Sequence, residues 1–378
     1  MHRLACLALC ASLLSCSSLG SSDTGLSGSL VIAGGGMSSH SLEVREAFLS
    51  RRVGGKVGVI GAASSEPEAS AARGVRAMDE AAGAAVSIAL PFNEAQPELA
   101  DDPELVTQID GCGALWFTGG SQSRIVEALR PGGRETSAWR ACVRLLERGG
   151  VIGGSSAGAA MMCDPMIRRG RSANAMREGV GSEGVDVGAG MGFFPWGLVD
   201  QHFLERGRFG RLVVALGESG IRLGWGISED SAILVDRTTG WVEVIGASGL
   251  ALFDARELQV SEGRWEGVGL SLLSSGDRVN ALTGEVVAAS GSIAFAPSDE
   301  LEEALVIEDL FGAGALKEAV HQLFIKHRVR AILGDGEEGA LIRRGVSERA
   351  WGRAEASGSE QMSAAGLRLD LYLMTHRR

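Results

Sequence analysis

From Leu30 onward, short apolar runs that end in glycine or another small residue alternate with longer amphipathic stretches. A strand buried on both faces shows no polar alternation, and joining it to a parallel neighbour takes a crossover of a dozen or more residues, usually helical. The alternation therefore predicts an α/β chain built on a mostly parallel sheet. Leu30–Ala33, Lys56–Ile60, a stretch near residues 85–90, Gly113–Phe117 and Gly150–Gly153 are its first five expected strands, with helices near residues 41–50 and over 140–147. Gly224–Val235 and Trp241–Ile245 are expected to close the sheet.

A composition shift near Leu258 marks a soft boundary, so residues 30–258 are taken as the α/β domain and 259–378 as a C-terminal extension. In the extension the sequence suggests strands at Gly269–Leu273 and Gly291–Phe295, a helix near residues 315–326, and an irregular tail rich in Gly, Glu and Arg. His321 and His327 there read as ordinary helix residues. A length of 378 residues fits one large domain with an appendage, or two domains. No fixed-period repeat points to a solenoid. The apolar fraction of 45% is too high for disorder, and the 55 glycines suit many tight turns.

With 36 basic against 47 acidic residues, the net charge of -11 argues against a nucleic acid partner. Residues 1–16 read as an export signal: Arg3, an apolar stretch from Leu4 to Leu14, then Leu13-Leu14-Ser15-Cys16, an ending similar to a bacterial lipobox. Cys16 would then be lipidated, residues 17–29 would form a Ser/Gly tether, and the protein would be held at a membrane of the cell envelope. An ordinary cleaved secretory signal is the alternative. After Cys16 only Cys112, Cys142 and Cys163 remain, which is neither a disulfide framework nor a zinc motif. No metal and no cofactor are expected, since HExxH and paired His/Cys spacings are missing. Gly34-Gly35-Gly36 does not complete a dinucleotide-binding GxGxxG, because Ser39 takes the last glycine position.

The segment Val151 to Met161 has the form strand, G-x-S-x-G, helix, with Ser156 at the centre. Glycines two before and two after a serine leave room for the strained turn that presents a nucleophile, and the following helix start puts the Ala157 N–H where an oxyanion would develop. A plain glycine-serine turn, or one that binds phosphate, would look the same. A serine nucleophile needs a base, and between Leu30 and Leu258 only His40 and His202 exist. His202 is favoured because it sits in the dense polar block Val199-Asp200-Gln201-His202-Phe203-Leu204-Glu205-Arg206-Gly207-Arg208-Phe209-Gly210-Arg211. A carboxylate should orient the imidazole, and in Gly226-Ile227-Ser228-Glu229-Asp230 either Glu229 or Asp230 could do so.

Four blocks in order resemble the cyanophycinase-like serine peptidases, which are related to aspartyl dipeptidases. They are Phe117-Thr118-Gly119-Gly120-Ser121-Gln122, Gly154-Ser155-Ser156-Ala157-Gly158-Ala159, Asp200-Gln201-His202-Phe203 with Arg206, Arg208 and Arg211, and Gly226-Ile227-Ser228-Glu229-Asp230, and the likeness spans about Leu30 to Phe253. The resemblance implies a flavodoxin-like or class I glutaminase-like sandwich and a triad of Ser156, His202 and Glu229. It further implies that the Gly120 and Ala157 N–H groups form the oxyanion hole, and that Gln122, Asp200, Gln201, Arg206, Arg208 and Arg211 bind substrate. Ser121, Ser155 and the glycine turn at Gly34–Met37 depart from the usual residues of that family, which leaves the substrate open. The expected partner is a peptide or polyamide, cyanophycin or a short aspartyl peptide, with a membrane reached through the N-terminal lipid and a homodimer as an open alternative to a single copy. A binding protein that keeps the fold without turnover is the competing reading.

Overall fold

In the computed structural model, which describes residues 25–38, 41–294, 305–325, 330–335, 338–343, 349–354 and 360–373, the first half of the chain alternates strand and helix as the apolar pattern predicts. Cys16, the tether up to residue 24, His40, Phe295, Lys326 and His327 lie outside the described residues. Strands β1 (Ser29–Ala33), β2 (Lys56–Ile60), β3 (Ser87–Leu90), β4 (Cys112–Phe117) and β5 (Val151–Ser155) are interleaved with helices α1 (Leu42–Leu49), α2 (Pro67–Ala82), α3 (Pro103–Asp110), α4 (Gln122–Leu129) and α5 (Ser137–Glu147). Then come α6 (Ala157–Ala160), β6 (Met166–Arg169), α7 (Ser172–Glu178), β7 (Asp186–Gly188), β8 (Leu198–Gln201), α8 (Phe209–Ser219), β9 (Leu223–Ile227), β10 (Ser231–Asp236), β11 (Trp241–Gly246) and β12 (Leu250–Asp254). Later strands are β13 (Gln259–Ser261), β14 (Arg264–Leu273), β15 (Arg278–Asn280), β16 (Val286–Val287), β17 (Ile293–Ala294), β18 (Leu305–Ile307), β19 (Arg330–Asp335), β20 (Glu338–Arg343), β21 (Arg349–Ala354) and β22 (Glu360–Leu373), with helix α9 (Ala315–Ile325) among them.

Two large sheets result. The first has the order β16-β15-β11-β10-β1-β5-β4-β2-β3, and its five strands from β1 to β3 along that order pair in parallel. Within it, β3-β2-β4-β5 is the doubly wound order of a flavodoxin-like sheet, extended by β1 and by antiparallel strands. Both faces are covered: Val31, Val59, Ala114 and Trp116 pack with Phe48 of α1 and Met78 of α2, while Leu30, Ile32, Leu115, Phe117 and Ile152 belong to the other core with Ile125 of α4 and Leu145 of α5. This explains the unbroken apolar runs in the sequence.

The second sheet runs β18-β19-β20-β22-β14-β12-β9-β8, with β13 on β14 and with β21 and β17 off β22. Two expectations are corrected here. The segment Gly224–Val235 is not one closing strand: it breaks at Ser228–Asp230, leaving β9 in the second sheet and β10 in the first. The tail expected to be irregular is largely strand, and the 14 residues of β22 pair with β14, β20 and β21. Strands from both sides of position 258 share this second sheet, since β12 pairs with β14. Among the described residues no helix is long and apolar enough to cross a membrane.

Trp225 of β9 is fully buried, donates its indole N–H to the Trp196 carbonyl at 2.7 Å, and meets Phe194 edge to face at 5.4 Å between ring centroids. Phe194 also meets Trp196 edge to face, so the three rings form one aromatic packing unit behind the strand that precedes Glu229. Trp225→Ala is expected to cost about 3–5 kcal/mol, a loss to be read from the midpoint of urea unfolding.

Candidate active site

Ser156 follows β5 with φ 56° and ψ -110°, a conformation that L-residues rarely adopt. Its flanking glycines have a steric cause. A Cβ on Gly154 would lie 2.4 Å from the Gly158 carbonyl oxygen, and one on Gly158 would lie 2.4 Å from that of Phe117. The turn can close only if both positions lack side chains. The Ser156 N–H donates to the Ala33 carbonyl at 3.1 Å, which ties the turn to the end of β1.

His202 follows β8 in the second sheet, also at positive φ (46°), and its N–H donates to the Gly34 carbonyl at 2.7 Å. Its Nε2 lies 2.8 Å from Ser156 Oγ, while Nδ1 meets a Glu229 carboxylate oxygen in a short contact. The structure thus brings Ser156, His202 and Glu229 into one chain of contacts. Burial pushes the His202 pKa below its ordinary value; the Glu229 carboxylate works against that shift, and Arg206 and Arg208 add to it. The imidazole is therefore neutral near pH 7, as a base must be.

The two candidate acids separate cleanly. Asp230, at φ 52°, points the other way and accepts from the Ser38 N–H at 2.8 Å, the Ser38 hydroxyl at 3.0 Å and the Ser41 hydroxyl, so it holds the entry to α1. The glycine turn Gly34–Gly36 lies directly over the pair. A Cβ on Gly35 would come within 2.4 Å of the imidazole, and one on Gly36 within 2.5 Å of the Glu229 carboxylate. This function of the turn was not evident from the sequence, where its mismatch to a nucleotide-binding motif and its departure from the family's usual residues stood out.

The loop Thr118–Gly120 borders the serine. A Cβ on Gly119 would lie 3.4 Å from Ser156 Cβ, and Gly120, at φ 146°, is pressed so close to the Ala63 carbonyl that its own Cβ would lie 2.3 Å away. Ala157 opens α6, so its N–H has no acceptor within the helix.

The other expected substrate residues divide. Asp200 and Arg211 are 1% and 3% exposed and form a bidentate ion pair, and Arg211 also donates to the Gly170 carbonyl at 2.7 Å. They brace the end of β8 against α8, and their hydrogen-bonding groups are turned toward each other rather than to a ligand. Gln122 is likewise occupied: its amide nitrogen donates to the carbonyls of Ile167 and Arg168 at 2.9 and 2.7 Å. Arg208 is mostly buried, donates to the Gln201 carbonyl at 2.5 Å, and burial lowers its pKa to about 10. Gln201 is buried with its side-chain oxygen unpartnered, and Arg206 is exposed. Among the charged residues of this block, Arg206 offers the accessible cation beside His202.

Burial raises the thiol pKa to about 11 for Cys112 and about 12 for Cys142 and Cys163, so none is a ready nucleophile. Among the described residues, no group of three or more His, Cys, Asp or Glu is gathered as a metal site would be.

No family model matches the sequence. The chain is 32% identical over 233 residues to a cyanophycinase of Nostoc sp., covering 61% of this chain and 74% of that protein. It is 30% identical over 271 residues to a cyanophycinase of Geminocystis herdmanii, covering 68% of this chain and 95% of the relative. In three dimensions it resembles the crystal structure of a peptidase from an acI-B1 Actinobacterium, with a TM-score of 0.51, 18% identity, and coverage of 68% of this chain and 97% of the other, which speaks to the fold. A serine turn at the end of a central strand, an imidazole and a carboxylate in sequence order, carried on this peptidase fold and joined to relatives of this similarity, place the chain in the cyanophycinase-like peptidase family.

Proposed function

We propose that the protein is a serine-type peptidase that cleaves cyanophycin or a related aspartyl peptide as an exopeptidase, through an acyl-enzyme. The observation that carries this reading is the relay from Ser156 Oγ to His202 Nε2 at 2.8 Å and from His202 Nδ1 to Glu229. Ser156 Oγ attacks the scissile carbonyl carbon while His202 Nε2 takes the hydroxyl proton. Glu229 holds the Nδ1–H tautomer and offsets the charge of the imidazolium. The Ala157 and Gly120 N–H groups receive the oxyanion, His202 returns the proton to the leaving amine, and water activated by the same imidazole then releases the acid product.

The substrate class follows from charge. Arg206 is exposed in the loop that His202 opens, and Arg206 and Arg208 both act to lower the His202 pKa, which supports a substrate that carries negative charge. A guanidinium suits a carboxylate, and short aspartyl peptides and the arginine units of cyanophycin both carry free carboxylates. In the same reading Cys16 is the lipidated residue, and Cys16→Ser moves the protein from the membrane fraction to the soluble one. A protein that stays in the membrane fraction after this change refutes the anchor.

Three further outcomes test the enzyme. A fluorophosphonate probe labels the parent protein at neutral pH, and Ser156→Ala abolishes the labelling; an unlabelled parent protein would leave only the binding reading. Incubation with cyanophycin and with α- and β-aspartyl dipeptides, followed by identification of the fragments, assigns the bond cleaved. Activity requires neutral His202, so kcat/KM falls as pH drops through its lowered pKa, and the acid limb lies below the ordinary histidine value of 6.5. Because Arg206 depresses that pKa, Arg206→Ala moves the limb to higher pH and raises KM, the reverse of what loss of a negative neighbour would do.

A further inference from the structure

The residues after Ser292 have no counterpart in the chemistry described so far, yet residues 309–325 pack against the loop that carries His202. The Gly314 N–H donates to the Leu204 carbonyl at 2.9 Å. The Phe311 carbonyl fills the space over Gly207, where a Cβ would come within 2.1 Å of it, and the Phe311 ring lies against Gly210 and 5.3 Å from the Phe209 ring centroid. A side chain at Gly207, which also has positive φ, would meet this segment, and one at Gly210 would meet both the Phe311 ring and Ser172. Leu310 at the head of the segment and Leu316, Val320 and Leu323 of α9 are buried in the same core as β8 and β9, so the contact is anchored on both sides.

The other end of the loop reaches the triad. His202 opens it, Phe203 fits its ring against Gly226 of β9, where a Cβ would lie 2.4 Å from the ring, and Glu205 turns a buried, unpartnered carboxylate oxygen inward. Burial, and after it the Glu229 charge, pushes its pKa up, while the backbone N–H groups and Lys317 pull it down.

We infer that residues 309–325 are a clamp for the active site, in which Phe311 is a positioning residue that fixes the His202 loop. The clamp acts on His202 through backbone packing, so it sets the attack geometry without touching substrate. It rests on the serine reading given above, and it gives the C-terminal extension a task that the catalytic blocks alone do not reveal.

The test is the rate at which a fluorophosphonate labels Ser156 in the full-length protein, measured across pH together with thermal melting. Phe311→Ala, in protein that melting shows to be folded, is expected to slow labelling by about tenfold or more, since small displacements of a base carry losses of this order. Phe311→Leu restores most of the rate by refilling the space. Gly207→Ala disturbs the same contact from the other side, because its Cβ would come within 2.1 Å of the Phe311 carbonyl oxygen, and in folded protein it is expected to slow labelling as well. A folded Phe311→Ala that labels at the parent rate, or a folded Gly207→Ala that does so should Phe311→Ala fail to fold, overturns the clamp. An unlabelled parent protein removes the serine reading and the clamp together, so the two failures are distinguishable.

Discussion

The hydrogen bond from the His202 N–H to the Gly34 carbonyl, 2.7 Å long, joins the C-terminal end of a strand in one sheet to the C-terminal end of a strand in the other. Two more bonds hold the same turn: the Gly34 N–H donates to the Ser231 carbonyl at the end of the β1–β10 ladder, and the Asp230 N–H, in the segment between β9 and β10, donates to the Gly35 carbonyl. Ser156 belongs to the first sheet through β5, whereas His202 and Glu229 follow β8 and β9 of the second. The site therefore exists only where the two sheets meet. Because Gly35 and Gly36 carry no side chains, the imidazole and the carboxylate can lie against this backbone.

The seam is bought with local strain. Among the described residues, positive φ at a residue other than glycine occurs only at Ser156, His202 and Asp230, each at or beside the triad. Strain of this kind costs on the order of 1–3 kcal/mol per residue and persists only where the surroundings overdetermine it. Here the surroundings are polar and local. Asp230 ties down Ser38 and Ser41, and the Asp200–Arg211 pair fixes the end of β8 against α8. Removing one member of such a pair leaves a buried charge unmatched, so the pair holds the end of β8 firmly in place.

Much of this was legible in the chain, for identifiable reasons. The G-x-S-x-G spacing could be read because the clash of Gly154 with Gly158 is local to the turn, although Gly158 also abuts the distant Phe117 carbonyl of β4. The five parallel strands could be read because burial on both faces removes polar residues from them. What escaped was what depends on partners distant in sequence. Gly224–Val235 looks like one strand because an apolar run reads the same in either sheet, and only the fold shows that Ser228–Asp230 crosses between them. The tail looked irregular because β20 and β22 mix glycine and charge, such as Arg343 with Asp370, into strands that are largely buried. Asp200, Arg211 and Gln122 are polar residues of the kind a substrate site needs, and nothing in their order discloses that each already has a partner within the protein.

A site assembled across a seam has a mechanical property that a site built on one element lacks. Its three groups are registered by a few backbone contacts between layers that are each stable through their own ladders. A slide of one sheet over the other by the length of a single hydrogen bond separates hydroxyl from imidazole while both layers remain intact. Turnover therefore gauges the alignment of the layers, and it is extinguished by loosening that leaves bulk secondary structure untouched.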